Sequence, residues 1–123
     1  AIPDAILNKP GKLTPEEFEL MKTHTIQGAL LLEKVPQLKE NDAYRYAYDI
    51  ARHHHERWDG SGYPDGLKGD EISLCAQIVS LADAYPRERV LEMIRDGACG
   101  IFNPRLLECF FSVEEELSHM YCQ

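Results

Sequence analysis

Apolar residues along the chain recur at spacings of three and four, and helix start and stop signals divide them into short runs. In the run LTPEEFELMKTH, Thr14 is a predicted N-cap, Pro15 the first helical residue and Glu17 the partner in a capping box. A pause is predicted near Thr25, which can cap a second helix over IQGALLLEKV, and Pro36 ends that helix or follows its end.

Five further helices are predicted downstream, with Asn103 and Ser112 as N-caps of the last two. They cover the stretches AYRYAYDIARHHHE, ISLCAQIVSLADAY, PRERVLEMIRDG, NPRLLECFF and SVEEELSHMY. Between the first two of these, residues 57–70 contain four glycines and one proline and predict a loop. Strand-like alternation and repeats are absent from the sequence, so the predicted fold is all-α, with about seven short helices in one domain over residues 1–123.

The composition is that of a globular protein, with 44% apolar and 28% charged residues. A formal net charge of −8 argues against binding of a nucleic acid polymer, which requires many basic contacts. An anionic ligand would need local positive charge from a metal ion or a few basic side chains. No apolar run reaches the length of a membrane span and no signal-like segment opens the sequence, so a cytoplasmic location is expected.

The four cysteines, at positions 75, 99, 109 and 122, do not form a CxxC pair, so a zinc-ribbon site is not indicated. We interpret them as free thiols in a reducing compartment, acting as small hydrophobic residues. Roles as metal ligands or in disulfides are the alternatives.

Histidines and one aspartate are the candidate groups for chemistry. His24 ends the first predicted helix, and His53, His54 and His55 end the third. Asp83 lies late in a mostly apolar helix, where a buried carboxylate is costly unless it is paired or bound to a metal. Neutral imidazoles and carboxylates are suitable ligands for a divalent metal that handles phosphate. Successive helical residues differ by about 100° in direction, so the three adjacent histidines only partly share one site.

Each of these residues also has a structural interpretation. A lone helical His24 is more often structural than functional, and a histidine triplet can be a solvated helix end. Asp83 can pair with Arg87 or Arg89. Spacing alone therefore leaves the metal site and the structural interpretation about equally open.

The loop sequence changes that balance. The stretch HHERWDGSGYPDGLKGDEI resembles, almost residue for residue, the signature of the HD-GYP family, a branch of the HD superfamily of metal-dependent phosphohydrolases. The resemblance extends upstream through IPDAILNKPGKLTPEEFELMKTH and downstream through AQIVSLADAY. It covers residues 1–85 strongly and residues 86–110 more loosely.

The resemblance implies an HD-superfamily helical bundle that binds two or three divalent metal ions, iron or manganese, and hydrolyses cyclic di-GMP in the intact protein. By position in the family motifs, the implied metal ligands are His24, His54, His55 and Asp83. His53 precedes the histidine pair and matches no family ligand. It is expected to lie behind the ligands or to be exposed, and its replacement is expected to have a smaller effect.

The resemblance also assigns roles around the loop. The loop residues expected beside the substrate are Gly62, Tyr63 and Pro64. Glu56 and Arg57 are expected to orient the metal ligands from behind. Trp58 either anchors the loop or simply packs in the core.

The chain departs from the family pattern in two places. It begins after the position of the family's HD motif and its nearby lysine, so no catalytic residue is assigned. The substrate-binding stretch that normally follows the aspartate is missing at Tyr85-Pro86, where a missing segment is expected. The domain is therefore expected to be incomplete, and the 123-residue chain is not expected to turn over cyclic di-GMP unaided.

Two functions remain open from the sequence. The first is the output domain of a cyclic di-GMP phosphodiesterase. The second is a catalytically inactive regulatory module whose GYP loop docks a signalling partner, such as a diguanylate cyclase domain.

Overall fold

A computed structural model describes residues 2–84, 102–109 and 112–113, and within these residues the protein is helical and has no strands. The predicted all-α class is therefore confirmed. The helices are α1 (Asp4–Leu7), α2 (Pro15–Glu33), α3 (Pro36–Lys39), α4 (Ala43–His53) and α5 (Leu74–Ala84), with a short 3₁₀ turn at Gly69–Glu71. Residues 104–109 are also helical. Within the described residues, none of the helices combines the length and the apolar character that a bilayer crossing requires.

The predicted capping box at the start of α2 is confirmed. The Thr14 hydroxyl accepts a hydrogen bond from the Glu17 backbone N–H at 3.2 Å, and the Glu17 carboxylate accepts one from the Thr14 N–H at 2.8 Å. The Lys9 ammonium group lies 2.5 Å from the same carboxylate and is the main cause of a lowered Glu17 pKa. These contacts satisfy backbone donors that the first turn of a helix leaves unpaired.

We expect Thr14→Ala to lower the free energy of unfolding by about 1 kcal/mol, because one N-terminal amide of α2 loses its acceptor. Thermal unfolding followed by circular dichroism measures this change. An unchanged midpoint would contradict the assignment of Thr14 as the cap.

The predicted pause near Thr25 is wrong, because α2 continues without a break from Pro15 to Glu33. Thr25 is fully buried, and its hydroxyl donates to the Lys22 carbonyl oxygen at 2.9 Å. The polar group is thus satisfied inside the helix, and Thr25 does not act as a cap. Pro36 follows the end of α2 as predicted, and it begins the short helix α3.

Helix α2 packs chiefly against α4, and α4 also packs against α5. Small residues make the first contact close: a Cβ atom added at Gly28 of α2 would lie 3.6 Å from the Ala51 Cβ of α4. Ala29 and Ala76 are fully buried. This packing brings the middle of α2 beside the C-terminal end of α4, where His24 and the histidine triplet lie.

Residues 102–109 pack on α5. The Asn103 amide N–H₂ donates to the Gln77 side-chain oxygen at 2.9 Å, and its own oxygen accepts from the Arg105 N–H at 2.9 Å, as expected of an N-cap. Cys75 and Cys109 are free thiols. The predicted helix over 86–97, the expected missing segment at Tyr85-Pro86 and two of the cysteines lie outside the described residues.

Candidate metal centre

His24 and His54 face each other with their hydrogen-bonding roles already set by the backbone. The His24 Nδ1 lies 2.6 Å from the Met21 carbonyl oxygen, and the His54 Nδ1 lies 2.7 Å from the Ile50 carbonyl oxygen. A ring nitrogen at that distance from a carbonyl carries the proton, since the carbonyl can only accept. In the neutral form of each ring, Nε2 then carries the free lone pair that a metal ligand requires.

The two Nε2 atoms are 3.4 Å apart. With both protons on the Nδ1 atoms, neither Nε2 can donate to the other, so the contact joins two acceptors. Two ring nitrogens that each bind one ion at roughly 2.1 Å can lie at most about 4.2 Å apart, so a single ion could be reached by both. The separation and the donor chemistry of the pair therefore both fit a shared divalent metal ion.

His55 completes the cluster. Its ring centre lies 4.9 Å from that of His24 and 4.3 Å from that of His54, and one donor atom from each of the three rings lies within 4.8 Å of the others. Burial, followed by smaller contributions from the neighbouring His54, His24 and Arg57 in that order, lowers the pKa of His55 to about 4. His55 is therefore neutral near pH 7, the form that binds metal. The structure thus brings together three of the four histidine and aspartate residues predicted as ligands.

Asp83 is exposed, so the prediction that it is a costly buried carboxylate is wrong. It lies in the last turns of α5, and its negative charge acts to raise the pKa of His55 and of Tyr63. Its carboxylate is not one of the donor atoms within 4.8 Å of each other in the histidine cluster. Metal binding by Asp83 therefore stays a prediction.

The loop after α4 approaches the histidines closely at Gly62. A Cβ atom at this position would lie 2.5 Å from both the Glu56 Cα and the His55 carbonyl oxygen, distances at which atoms overlap. The next residue, Tyr63, donates its backbone N–H to the same His55 oxygen at 3.3 Å. Glycine at position 62 is thus required for the loop to fold back onto the metal centre.

Tyr63 covers one face of the cluster. Its ring stacks on His55 with a centroid distance of 5.1 Å and an interplanar angle of 18°, and it meets Phe18 edge-on at 6.2 Å. The Lys22 ammonium group lies over both aromatic rings, 5.0 Å from the centre of Phe18 and 5.8 Å from that of Tyr63. The Tyr63-Pro64 peptide bond is cis. An aromatic and a positively charged group therefore border the histidines.

Glu56 holds the loop, and its carboxylate bonds to loop amides rather than directly to one of the predicted metal ligands. Its side chain is 2% exposed, and its two carboxylate oxygens accept hydrogen bonds from the Asp65 N–H at 2.7 Å and the Leu67 N–H at 2.9 Å. A buried carboxylate needs such donors, and the loop supplies them from its own backbone.

Arg57 and Trp58 fasten the start of the loop to the core. The Arg57 guanidinium donates to the Ser80 hydroxyl at 2.7 Å and lies 5.9 Å from the centre of the Phe102 ring. Burial lowers the pKa of this arginine. Trp58 lines a small internal cavity together with Glu56, Ile72 and Phe102, so its role here is core packing.

His53 points into a separate polar network. Its Nδ1 lies 2.8 Å from an Asp49 carboxylate oxygen and its Nε2 lies 2.8 Å from an Asp65 oxygen. Arg52 donates two hydrogen bonds to Asp65, at 2.8 and 2.9 Å, and is the main cause of an Asp65 pKa lowered to about 2. Ser73 donates to the second Asp49 oxygen. His53 is thus held by carboxylates rather than exposed, and its exclusion from the metal ligands stays a prediction.

Sequence reasoning missed Asp49 and Asp65. Asp49 stands four residues before His53 on a predicted helix, a spacing that places the two side chains together, and this signal was available. Asp65 carries no such signal, because its contact with α4 depends on how the loop folds back.

Comparison with known proteins identifies the family to which the chain belongs. A family model described as HD domain matches residues 1–97. The chain is 42% identical to a probable cyclic di-GMP phosphodiesterase of Vibrio cholerae serotype O1 over 130 residues, 94% of this chain and 29% of that protein. It is 39% identical to a cyclic di-GMP phosphodiesterase of Thermotoga maritima over 133 residues, 98% of this chain and 35% of that protein. Over 85 residues, 69% of this chain and 16% of the relative, it is 42% identical to 3'3'-cGAMP-specific phosphodiesterase 2 of Vibrio cholerae serotype O1.

The chain spans about a third or less of the length of these curated relatives. The two longer alignments exceed the 123 residues of the chain, so both relatives carry residues inside the aligned region that this chain lacks. The family match covers well over half of the chain and includes all three clustered histidines. The chain therefore belongs to the HD domain family, in agreement with its resemblance to the HD-GYP branch.

Proposed function

We propose that the natural protein containing this chain is a metal-dependent phosphodiesterase that hydrolyses a cyclic dinucleotide, with cyclic di-GMP as substrate. The observation that carries this proposal is the pair of facing Nε2 atoms of His24 and His54, 3.4 Å apart and next to His55. The names of the relatives support the substrate class, since they are phosphodiesterases of cyclic di-GMP or 3'3'-cGAMP.

The histidines would hold the metal, with Asp83 as a further ligand from α5. We propose two or three divalent ions, iron or manganese. When bound, divalent ions activate water and neutralise phosphate charge. The protein's own contribution is to fix the donor atoms: the Met21 and Ile50 carbonyl oxygens hold the Nδ1 protons of His24 and His54, so both Nε2 atoms face the site.

Residues beside the cluster suit an anionic ligand with flat bases. Lys22 supplies a positive charge close to the Tyr63 ring, in a chain whose net charge is −8. Phe18, which meets Tyr63 edge-on, is exposed and offers a ring face on which a nucleobase can stack.

The inactive docking module remains an untested alternative, with a diguanylate cyclase domain as its partner. The loop contacts do not favour it. Tyr63 is turned inward onto His55 and Phe18, and Asp65 is held by Arg52, so these side chains are engaged within the chain.

The segment expected to be missing between Tyr85 and Pro86 also stays a proposal. It is supported by the alignments that are longer than the chain. The matches of 85 residues, which cover 69% of the chain, are consistent with a discontinuity after the GYP region.

The test uses the natural full-length protein, loaded with Mn²⁺ or Fe²⁺ and incubated separately with cyclic di-GMP and 3'3'-cGAMP. We expect hydrolysis of cyclic di-GMP to the linear dinucleotide or to GMP, measured by chromatography, and loss of this activity after chelation. Turnover of 3'3'-cGAMP without turnover of cyclic di-GMP would change the proposed substrate to 3'3'-cGAMP. A metal-loaded protein that hydrolyses neither would favour the docking alternative.

A further inference from the structure

A second cluster of potential metal ligands lies behind the histidines, formed by His53, Glu56 and Asp65. Its donor atoms are already engaged. Both His53 nitrogens face carboxylates, and both Glu56 oxygens accept from loop amides. Asp65 accepts two hydrogen bonds from Arg52. Every donor atom of this cluster thus already has a hydrogen-bond partner within the chain, and its function is to be sought in what it holds in place.

The contacts converge on Asp65. Its carboxylate receives Arg52 in a two-point contact at 2.8 and 2.9 Å and His53 at 2.8 Å, while its backbone N–H donates to Glu56 at 2.7 Å. Two-point arginine–carboxylate contacts fix orientation as well as distance. Three residues at the end of α4 thus grip one loop residue through both its side chain and its backbone.

We propose that Arg52, His53 and Glu56 form a clamp on Asp65 that positions the Tyr63 ring on His55. This inference rests on the proposed function, because it assigns to the clamp the orientation of a metal-binding histidine. Asp65 is only two residues beyond Tyr63, with Pro64 between them, so displacement of Asp65 moves the ring. The four residues Arg52, His53, Glu56 and Asp65 are called the Asp65 clamp below.

The clamp reaches a third element. His53 also contacts Asp49, and Asp49 accepts from Ser73, whose hydroxyl accepts from the Ala76 N–H at the start of α5. Both His53 nitrogens lie 2.8 Å from carboxylate oxygens, so the ring bridges the two aspartates. Helix α4, the GYP loop and α5, which carries Asp83, are tied together through this one side chain.

The experiment compares Asp65→Ala with Thr14→Ala in the 123-residue chain. Thr14→Ala is the matched control, because it weakens α2 without touching the loop. Stacking of Tyr63 shifts the ring proton resonances of His55, and these are read by NMR without metal. We expect Asp65→Ala to move the His55 resonances towards values for an unstacked ring and to weaken Mn²⁺ binding about tenfold in calorimetry. Thr14→Ala should lower the unfolding midpoint and leave the His55 resonances and the Mn²⁺ affinity unchanged.

The proposal is overturned if Asp65→Ala lowers the unfolding midpoint but leaves the His55 resonances at the positions seen in Thr14→Ala. If Asp65→Ala fails to fold, His53→Gln makes the same comparison, since the shorter planar amide cannot bridge both aspartates from the positions of the two ring nitrogens. Unchanged His55 resonances in that folded variant would equally overturn it. These readouts need no turnover, so they stand apart from a failure of the phosphodiesterase assignment.

Discussion

Replacing His54 with alanine in the natural full-length protein is expected to remove bound metal and to abolish cyclic dinucleotide hydrolysis. The change deletes one of the two Nε2 atoms that lie 3.4 Å apart. Loss of a partner behind a ligand typically lowers metal affinity or activity 10–100-fold, so loss of a ligand should exceed about 100-fold. Metal content by mass spectrometry and turnover by chromatography measure the two effects.

His53→Ala is the matched control for this variant, because it removes the adjacent imidazole from the same helix end. His53 belongs to the Asp65 clamp and contacts only aspartates, so metal should remain bound with about tenfold weaker affinity. Equal metal loss in the His53 and His54 variants would contradict the assignment of His54, and not His53, as a metal ligand.

Gly62→Ala is expected to destabilise the loop by about 3 kcal/mol and to separate Tyr63 from His55. The added methyl group would overlap backbone atoms of Glu56 and His55, which follow directly after α4 and cannot rotate away as a side chain can. Thermal unfolding and the His55 ring resonances report the two consequences, and hydrolysis by the full-length protein should fall with them.

Gly28→Ala serves as the control for adding a methyl group at a glycine. Its Cβ would meet the Ala51 Cβ at 3.6 Å, an ordinary contact, and alanine favours the helix by about 1 kcal/mol over glycine. The variant should be as stable as the parent or more stable. A Gly62→Ala protein that unfolds at the parent midpoint with full activity would refute the close approach of the loop.

The helices that could be predicted are those whose signals are local. The capping box at Thr14 is a contact within four residues, and α4 and α5 follow apolar spacing. The break at Thr25 was wrong because a β-branched hydroxyl residue favours a cap in isolation, whereas burial against neighbouring helices keeps it helical here. The four-residue helices α1 and α3 are too short to show a period.

The metal centre was predictable only in part. The motif resemblance indicated His24, His54 and His55, while spacing alone could not decide, because His24 meets the others across thirty residues of chain. The hydrogen bonds of Glu56 could not be predicted, because its partners are backbone amides of a loop, which leave no signal in the pattern of side chains. Asking which side chain accepts hydrogen bonds from the backbone amides of the loop would have indicated Glu56.

The anchoring of the two facing rings has a mechanical consequence. Each Nδ1 is tied to a carbonyl three or four residues earlier on its own helix, so His24 moves with α2 and His54 moves with α4. Gly28 and Ala51 bring those helices into close contact, and no flexible linker lies between helix and donor atom. A sliding of α2 along α4 by a fraction of an ångström is transmitted at nearly full size to the gap between the two nitrogens. The relative position of α2 and α4 therefore sets the distance between the two Nε2 atoms, and a force on α2 changes the geometry of the proposed metal site.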